Sequence, residues 1–378
     1  MTSLLEFHAF LLTNTGTRLD RFAKALAAAV RPGDTVLDLG AGSAILSILA
    51  CRCGARRAYA VEDTDAVALA RALVAASPYR DRIEVIHARS FDVTLAERAD
   101  VLVADVHSTF GLQEQGLSAM IDARTRLVRP GGRIVPARMQ LCVAPADAAD
   151  LYDAKVNRWQ RAAQGLDLAP IRDLAVNTIY PGHLAPSDLL APPAPVCAIP
   201  FETVTDLHVS GQVQVRATRA GTLHGVCGGI VTTLVDRVEI SNLPGDPGTS
   251  NFAHAFLPID TPVAVAEGDG LEIQVDSYDG EELRWIVTIT AASSGATRRF
   301  THSTFLSRSL SPERLRKRDP NYRPVLGARA QIERDLLNHI DGTRTVADLE
   351  QWLAGHGGGR LARGRLAEVL TTTIERCG

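Results

Sequence analysis

The stretch VLDLGAGSAILSILA, residues 36–50, constrains the fold of this chain more than any other. It begins with an apolar run typical of a buried strand, passes through Gly40 and Gly42, and continues with apolar residues at helical spacing. Glycine at these positions allows the backbone to turn tightly and to come close to a ligand. The pattern therefore predicts a strand, a turn and a helix, with a ligand at the carboxyl end of the strand.

The next predicted strand decides between two kinds of ligand. A dinucleotide fingerprint needs a third glycine where this chain has Ile45, so the Gly-x-Gly pattern alone is a weak signal. The strand RAYAV leads into Glu62, 24 positions after Asp38, where a carboxylate can accept hydrogen bonds from both hydroxyls of an adenosine ribose. Because a ribose-binding acid is present and the glycine triad is not, S-adenosylmethionine is the predicted cofactor.

Composition excludes several classes of protein. With 378 residues, 46% of them hydrophobic, the chain has enough apolar side chains for two domains and a small third piece. Its net charge is −3, and its basic cluster RLRKR, 314–318, is too small to favour a nucleic-acid partner. The six cysteines form no C-x-x-C pair, so we predict reduced thiols and no metal site. Without a membrane-spanning stretch or a signal sequence, we expect a cytoplasmic protein that does not contact membranes.

A predicted helix precedes the first strand. Residues 15–30 carry apolar side chains at helical spacing, which indicates an amphipathic helix. Near its start, Arg18 is a candidate ligand for the carboxylate of S-adenosylmethionine, and His8 is a candidate for its ribose. The alternatives are an exposed helix arginine and an ordinary surface histidine.

Two acids follow a later strand. VLVA, 101–104, predicts a buried strand with Asp105 at its carboxyl end, where side chains face the crevice of an α/β sheet. Glu114 follows nine positions later, and a loop of that length can bring both acids to one pocket. They would then orient a cationic or hydrogen-bond-donating methyl acceptor. In the alternative, Asp105 caps the loop and Glu114 begins the next helix.

These stretches together resemble a known family. The catalytic core of the protein arginine methyltransferases is similar, in order and spacing, to VLDLGAGSAILSILA, CGARRAYAVED, RIEVIHARSFDVTL, ADVLVADVHSTFGLQEQ and LVRPGGRIVP. The resemblance implies a Rossmann-like methyltransferase domain over 1–137. It also places Asp105 and Glu114 at the family's two substrate-clamping glutamates, the first shortened by one methylene. Both are therefore predicted catalytic residues.

The same resemblance implies a set of cofactor-binding residues. Besides Arg18, the set combines the glycine turn, the ribose ligand and its neighbour: Asp38, Gly40, Gly42, Glu62 and Asp63. It also places Glu84 or its neighbours near the adenine.

The character of the sequence changes at about residue 138. Short β-type runs separated by turns predict an antiparallel β-barrel or sandwich over 138–306. A helical interruption at about 151–180 resembles the dimerisation arm of arginine methyltransferases, including Trp159 followed by GLDL. This resemblance implies a homodimer, and the alternative is two packed helices with Trp159 in a core.

In this family a threonine-histidine-tryptophan loop borders the reacting centre. Ser250, Asn251 and Phe252 stand at the equivalent positions, so the side chains that shape an arginine site have been replaced. We predict that His254, two positions further on, is a third catalytic residue, and the alternative is a solvated loop histidine. We predict that the acceptor is bound by His107, Asn251 and Phe252.

The last part of the chain is separate in composition. Residues 307–327 are polar and rich in proline, which predicts a linker. Residues 328–378 predict three helices, and they resemble the small winged-helix-like modules that recognise leader peptides in ribosomal peptide modification. Three helices forming a structural cap are the alternative.

Three functions remain open from the sequence. The first is methylation of nitrogen, on a peptide or protein side chain or on a small amine or guanidine. The second is methylation of oxygen or carbon in natural-product biosynthesis, with the acids acting as a base. The third is a catalytically silent subunit that binds the cofactor.

Overall fold

The computed structural model describes residues 6, 8–9, 12, 16–105, 108–111, 115–160, 164–246, 253–278, 282–308, 311–317, 319–357 and 363–377. The chain divides into two compact units, Met1–Arg308 and Ser309–Gly378. No helix in the described ranges is long and apolar enough to cross a membrane. Within the same ranges, no cluster of three or more His, Cys, Asp or Glu side chains is placed to bind a metal ion.

The first part of unit 1 is a parallel α/β layer. Its elements are α1 (Gly16–Ala29), β1 (Thr35–Leu39), α2 (Ile45–Arg52), β2 (Arg57–Glu62), α3 (Ala66–Ala76), β3 (Ile83–His87), β4 (Ala99–Ala104), α4 (Gly116–Asp122) and β5 (Val128–Val135). The strands form one parallel sheet in the order β3-β2-β1-β4-β5. The order reverses between β1 and β4, so a crevice opens at the carboxyl ends of these strands. The predicted Rossmann-like layer is confirmed.

Both faces of this sheet are covered. Leu37 and Leu102 point into an apolar cluster that continues into the second part of the unit. Their neighbours Val36 and Val101 point to the other face, into a cluster formed with α1, α2 and α3. Successive side chains of a strand alternate between faces, so a strand buried on both sides is apolar throughout. This explains the continuous apolar runs in the sequence.

The second part of unit 1 contains antiparallel sheets, as predicted. Its strands are β6 (Arg138–Ala146), β7 (Tyr180–Gly182), β8 (Ala194–Pro200), β9 (His208–Arg216), β10 (Gly221–Val235), β11 (Val238–Ser241), β12 (His254–Val265), β13 (Gly270–Tyr278), β14 (Glu282–Thr290) and β15 (Thr297–Ser303). One sheet has the order β7-β12-β10-β6-β8 with β11 beside β10, and the other has the order β15-β14-β13-β9.

The helical interruption is present as two helices, α5 (Ala149–Lys155) and α6 (Ala169–Ala175). Tyr152 of α5 is buried, and its hydroxyl donates to the carbonyl oxygen of Ile259 at 2.9 Å, which joins the helix to β12. Trp159 is half-buried, whereas Leu166 keeps 64% of its surface exposed. This segment therefore combines one anchored helix with an apolar residue that is mostly exposed in the described chain.

Unit 2 is helical. It contains α7 (Pro312–Arg316), which lies inside the predicted linker, and three longer helices, α8 (Ala328–Leu337), α9 (Val346–Gly357) and α10 (Arg363–Cys377). The three longer helices share an apolar cluster that includes Leu336, Leu353 and Val369. The three predicted helices are present, and the winged-helix likeness stays a prediction.

Candidate active site

A cavity of about 720 Å³ lies at the carboxyl edge of the parallel sheet. The turns after β1, β2 and β4 meet there, because these strands are neighbours in the sheet. Several predicted site residues line it together with His8: Arg18, Gly40, Gly42, Glu62, Asp63 and Asp105. The cavity is large enough for a nucleoside-sized ligand and a second small group.

The glycine turn after β1 is left-handed at three positions. Gly40, Gly42 and Ala44 have φ values of 66°, 53° and 58°. A Cβ added at Gly40 would meet no atom within 4 Å, so the space above this residue is open cavity. The Ala41 amide donates to the carbonyl oxygen of Val61 at 2.9 Å, which fastens the turn to β2. The backbone therefore forms a cradle at the strand end.

Glu62 joins the turns after β1 and β2. Its Oε2 accepts a hydrogen bond from the amide of Gly42 at 2.7 Å. Its Oε1 accepts from the amide and the hydroxyl of Thr64, at 2.9 and 2.6 Å. A carboxylate has about four acceptor positions, so these three bonds leave capacity for a further donor from the cavity. This arrangement suits the predicted role as a ribose ligand.

Asp38 does not line the cavity, although it was predicted to bind the cofactor. It is 1% exposed, and its Oδ2 accepts from the amide and the hydroxyl of Ser47 at 2.9 and 2.8 Å. Ala44, which precedes α2, has no oxygen in its side chain, so Asp38 supplies from β1 the acceptor that a helix N-terminus needs. The structure thus assigns Asp38 to holding the turn in shape.

Burial controls the charge of Asp38. Desolvation raises the pKa of its carboxyl to about 7, although the hydrogen bonds from Ser47 oppose this rise. Its Oδ1 has no hydrogen-bond partner among the described residues. Burial thus favours the protonated, neutral form of this carboxyl.

Arg18 and Asp105 form an ion pair inside the cavity. Arg18 comes from α1 and Asp105 from the end of β4, and the side chain of Arg18 is 8% exposed. Burial lowers the pKa of Arg18 to about 10, so the guanidinium stays charged at neutral pH. The alternative of an exposed helix arginine is wrong. Arg18, which is predicted to bind the cofactor, is thus in direct contact with Asp105, which is predicted to act on the methyl acceptor.

His8 covers the glycine turn. It is 7% exposed and lines the cavity, so the alternative of an ordinary surface histidine is wrong. A Cβ added at Gly42 would lie 2.8 Å from the Cε1 atom of His8, so only glycine allows this close approach. Burial lowers the pKa of His8, and the nearby charge of Glu62 partly offsets that effect.

The segment after β3 contributes residues that the sequence analysis missed. Glu84, predicted near the adenine, instead forms an exposed ion pair with Arg57 at 2.6 Å and does not line the cavity. Arg89, Ser90 and Phe91 line it. Their position was available from the sequence, because residues directly after a parallel strand lie at the ligand-binding edge of the sheet.

The acceptor side is described only in part. His107, Glu114, Asn251 and Phe252 lie outside the described residues, and their predicted roles stay predictions. Ser108 and Thr109, from the loop after β4, line the cavity.

His254 is described, and it lies elsewhere. Its Nδ1 accepts a hydrogen bond from the amide of Leu184 at 3.0 Å, and it is not among the residues that line the cavity. Burial lowers the pKa of His254, and the neighbouring His183 adds to this effect. The structure thus places a neutral imidazole in a backbone contact and does not bring this predicted catalytic residue to the cavity.

Two protein-family models match adjacent parts of the chain. Residues 20–137 match the ribosomal protein L11 methyltransferase (PrmA) family. Residues 137–278 match the arginine methyltransferase oligomerization subdomain.

Named relatives extend this similarity. Protein arginine N-methyltransferase 6 of Danio rerio is 28% identical over 262 residues, which are 66% of this chain and 75% of that protein. Probable protein arginine N-methyltransferase 6 of Arabidopsis thaliana is 36% identical over 143 residues, which are 38% of this chain and 33% of that protein. The chain is a protein arginine methyltransferase-like, S-adenosylmethionine-dependent methyltransferase.

Solved structures show the same fold for this methyltransferase. Arabidopsis thaliana protein arginine methyltransferase 10 superposes with a TM-score of 0.69 at 22% identity, over 80% of this chain and 98% of that one. The Trypanosoma brucei PRMT1 enzyme-prozyme complex with AdoHcy gives a TM-score of 0.69 at 19% identity, over 77% of this chain and 95% of that one. The order of a parallel sheet followed by antiparallel sheets is thus that of the arginine methyltransferase fold.

Proposed function

We propose that this methyltransferase transfers a methyl group to a nitrogen atom, on a peptide or protein side chain or on a small amine or guanidine. The observation that carries the proposal is the position of Asp105, whose carboxylate lines the same cavity as the cofactor turn. A carboxylate at that place, already paired with Arg18, favours an acceptor that donates hydrogen bonds or is cationic. The relatives named above are N-methyltransferases, and they give no support to methylation of oxygen or carbon or to a silent subunit.

The residues of the cradle fit S-adenosylmethionine. Glu62 has capacity for a ribose hydroxyl, Arg18 is a buried cation suited to a carboxylate, and Gly40 leaves open space at the strand end. The cofactor, when bound, supplies an activated sulfonium methyl group. The task left to the protein is to place the acceptor nitrogen in line with that methyl group and to exclude water.

Asp105 acts on the acceptor from the end of β4. Its side chain is one methylene shorter than the glutamate of the family pattern, and Arg18 holds its carboxylate. An acceptor nitrogen must therefore enter the cavity more deeply to contact Asp105 than it would if residue 105 were a glutamate. Asp105 then stabilises positive charge on that nitrogen by a charge-assisted hydrogen bond, with Glu114 as the second predicted acid.

We also propose that the enzyme is a homodimer. The match to an oligomerization subdomain spans the helical segment of α5 and α6, and Leu166 in that segment is exposed. Apolar side chains in such a position favour a partner surface. Sedimentation velocity of the full chain measures this directly: the mass of two chains supports the proposal and the mass of one chain contradicts it.

Methyl transfer is tested with labelled S-adenosylmethionine and two sets of acceptors, arginine-containing peptides and small amines or guanidines. The methylated atom is assigned by mass spectrometry. Asp105→Asn should lower kcat/KM on the order of 100-fold, because an ion-ion contact with the acceptor is lost. Its affinity for S-adenosylhomocysteine should stay the same or rise, since Arg18 is released from its partner.

Two further variants make this test specific. Asp105→Glu restores the family's side-chain length and should raise turnover on peptidyl arginine relative to small acceptors. Asp276→Asn, an exposed acid on β13, is the control and should change nothing. Label on oxygen or carbon would contradict the proposal, and so would cofactor binding without transfer to any acceptor of either set.

A further inference from the structure

We propose that Asn242 is a positioning residue that fixes the loop carrying Asp105 and Glu114, and so determines where the acceptor is held. This inference rests on the proposed function for its consequence in catalysis. Asn242 follows β11 and is 1% exposed. Its Oδ1 accepts from the amide of Ile230 at 2.6 Å, which joins it to β10.

The amide nitrogen of this side chain holds two other segments. Nδ2 donates to the carbonyl oxygen of Thr109 at 3.0 Å and to that of Ala253 at 3.1 Å. Thr109 lines the cavity and lies between Asp105 and Glu114 in the sequence. Ala253 directly follows Asn251 and Phe252, the predicted acceptor-binding residues. One buried amide therefore links the two segments assigned to the acceptor.

Two glycines of β10 make room for this arrangement. A Cβ added at Gly229 would lie 3.0 Å from Oδ1 of Asn242 and 2.7 Å from the side chain of Leu243. A Cβ added at Gly228 would lie 2.7 Å from the ring of Phe110, the residue after Thr109. Glycine inside a strand is costly and often marks a close approach of another segment. Gly228 thus leaves room for Phe110 of the loop, and Gly229 leaves room for Asn242, which holds the loop.

Within the described residues the two ends of the loop have contacts of their own: Asp105 pairs with Arg18, and Oε1 of Gln115 accepts from Arg89 at 3.1 Å. The hydroxyl of Ser108 donates to the carbonyl oxygen of Gly111 at 2.6 Å, which is a bond inside the loop. Between these ends, the described residues of the loop are joined to the antiparallel sheets by the hydrogen bond of Asn242 to Thr109 and by apolar packing of Phe110 beside Gly228 and of Gly111 beside Leu141. The cofactor cradle is held by other bonds, those of Glu62 and Asp38. Loosening the loop should disturb the acceptor and leave the cofactor in place.

Asn242→Asp tests this with almost no change in shape. Aspartate keeps the oxygen that accepts a hydrogen bond from the amide of Ile230, but it loses both N–H donors. Its second oxygen therefore faces the carbonyl oxygens of Thr109 and Ala253. The control is Asp269→Asn, an equally small exchange at a buried position of the second part. Asp269 accepts from the amides of Ala266 and Ala292 and does not line the cavity.

Three quantities are measured on the full chain: affinity for S-adenosylhomocysteine, kcat and KM for the best acceptor, and hydrogen exchange of the amides of 106–116. We expect Asn242→Asp to lower kcat/KM by about tenfold or more, since loss of buried hydrogen bonds costs about 1–3 kcal/mol. Cofactor affinity should stay within about twofold, and loop exchange should speed up by a factor of about ten by the same arithmetic. Asp269→Asn should change neither the loop exchange nor kcat/KM.

Unchanged loop exchange in Asn242→Asp overturns the inference, and so does a loss of cofactor affinity as large as the loss of kcat/KM. Failure of the proposed function gives a different result, because the wild-type enzyme then methylates neither set of acceptors. In that event the exchange measurement still decides: faster exchange confined to 106–116 supports the attachment, and a uniform increase across unit 1 contradicts it.

Discussion

The two sides of the cavity are built in different ways. The cofactor side is held by short, local contacts at the ends of neighbouring strands, such as those of Glu62 with Gly42 and Thr64. The acceptor side is a loop, held through Arg18 from the first helix and through Asn242 from the antiparallel sheets. Changes in the acceptor side therefore leave the sheet that carries the cofactor turn intact. A shortened acid at Asp105 beside an intact cofactor pattern is the result expected from this construction.

Glu62→Ala tests the cofactor side of the cavity, and we expect it to have the largest effect. It removes a carboxylate that accepts three protein hydrogen bonds and offers capacity to a ribose, so cofactor affinity should fall on the order of 100-fold or more. Calorimetric titration with S-adenosylhomocysteine measures the loss.

The matched control is Glu84→Ala on the adjacent strand β3, where the glutamate pairs with Arg57 outside the cavity. Its affinity should equal that of the wild type. Equal losses in the two variants would show that the effect comes from the sheet and not from the cofactor side of the cavity.

Gly42→Ala should have a smaller effect. The backbone there has a φ of 53°, and the new methyl group would lie 2.8 Å from Cε1 of His8, so the histidine must move. We expect cofactor affinity to fall about tenfold, from strain of about 1–2 kcal/mol.

Two further variants separate the causes of that loss. His8→Ala added to Gly42→Ala should recover part of it if the contact with the histidine matters, which a double-mutant cycle measures. Gly33 has a φ of 91°, and a Cβ added there would meet no atom within 4 Å. Gly33→Ala should therefore lower stability without changing cofactor affinity. A cycle with no coupling would assign the whole loss to backbone strain.

Asp38→Asn should alter the pH dependence of stability. The pKa of Asp38 is raised to about 7 by burial, from an ordinary value of 3.8, so between these values the folded state holds a proton that the unfolded state has released. The contribution of Asp38 to stability therefore falls as pH rises from about 4 to about 7, by at most about 1.4 kcal/mol per pH unit. Asparagine cannot titrate, so the variant should gain stability relative to the wild type across this range.

Urea denaturation at about pH 5 and about pH 7.5 measures this difference. Asp269→Asn is the control, because backbone hydrogen bonds from Ala292 and Ala266 lower the pKa of Asp269 below its ordinary value of 3.8, so its contribution does not change between these two pH values. Its wild-type contribution is present above the ordinary pKa and is lost as pH falls. Parallel pH profiles for Asp38→Asn and the wild type would mean that Asp38 is ionised in the folded protein.

The cofactor side could be predicted from the sequence because its signals are local. A strand pattern, two glycines and an acid at the next strand end determine which residues meet, since parallel strands end at one edge. The role of Asp38 was not predictable in the same way. Its partner Ser47 lies nine residues away, and only the structure shows that the helix containing Ser47 begins without a side-chain cap of its own.

The acceptor side was less predictable because its contacts span long distances in the chain. Asn242 meets Thr109 across 133 residues, and the local sequence SNLPG predicts only a turn. One usable signal was the pair Gly228–Gly229 inside an otherwise β-type run, which indicates that another segment comes close. His254 was predicted to reach the cavity because it is close in sequence to the position of the family's histidine. The structure does not place it among the residues that line the cavity.

The glycine pair of β10 has a consequence for protein engineering. Exchange of acceptor loops between related methyltransferases is a direct way to seek new substrates, and residues 105–116 would be the natural insert. In this chain the inserted loop alone would lack the strand on which Phe110 packs and the side-chain amide of Asn242, which donates to Thr109. A working chimera would have to transplant Gly228, Gly229 and Asn242 with the loop, so the smallest exchangeable module is discontinuous in sequence.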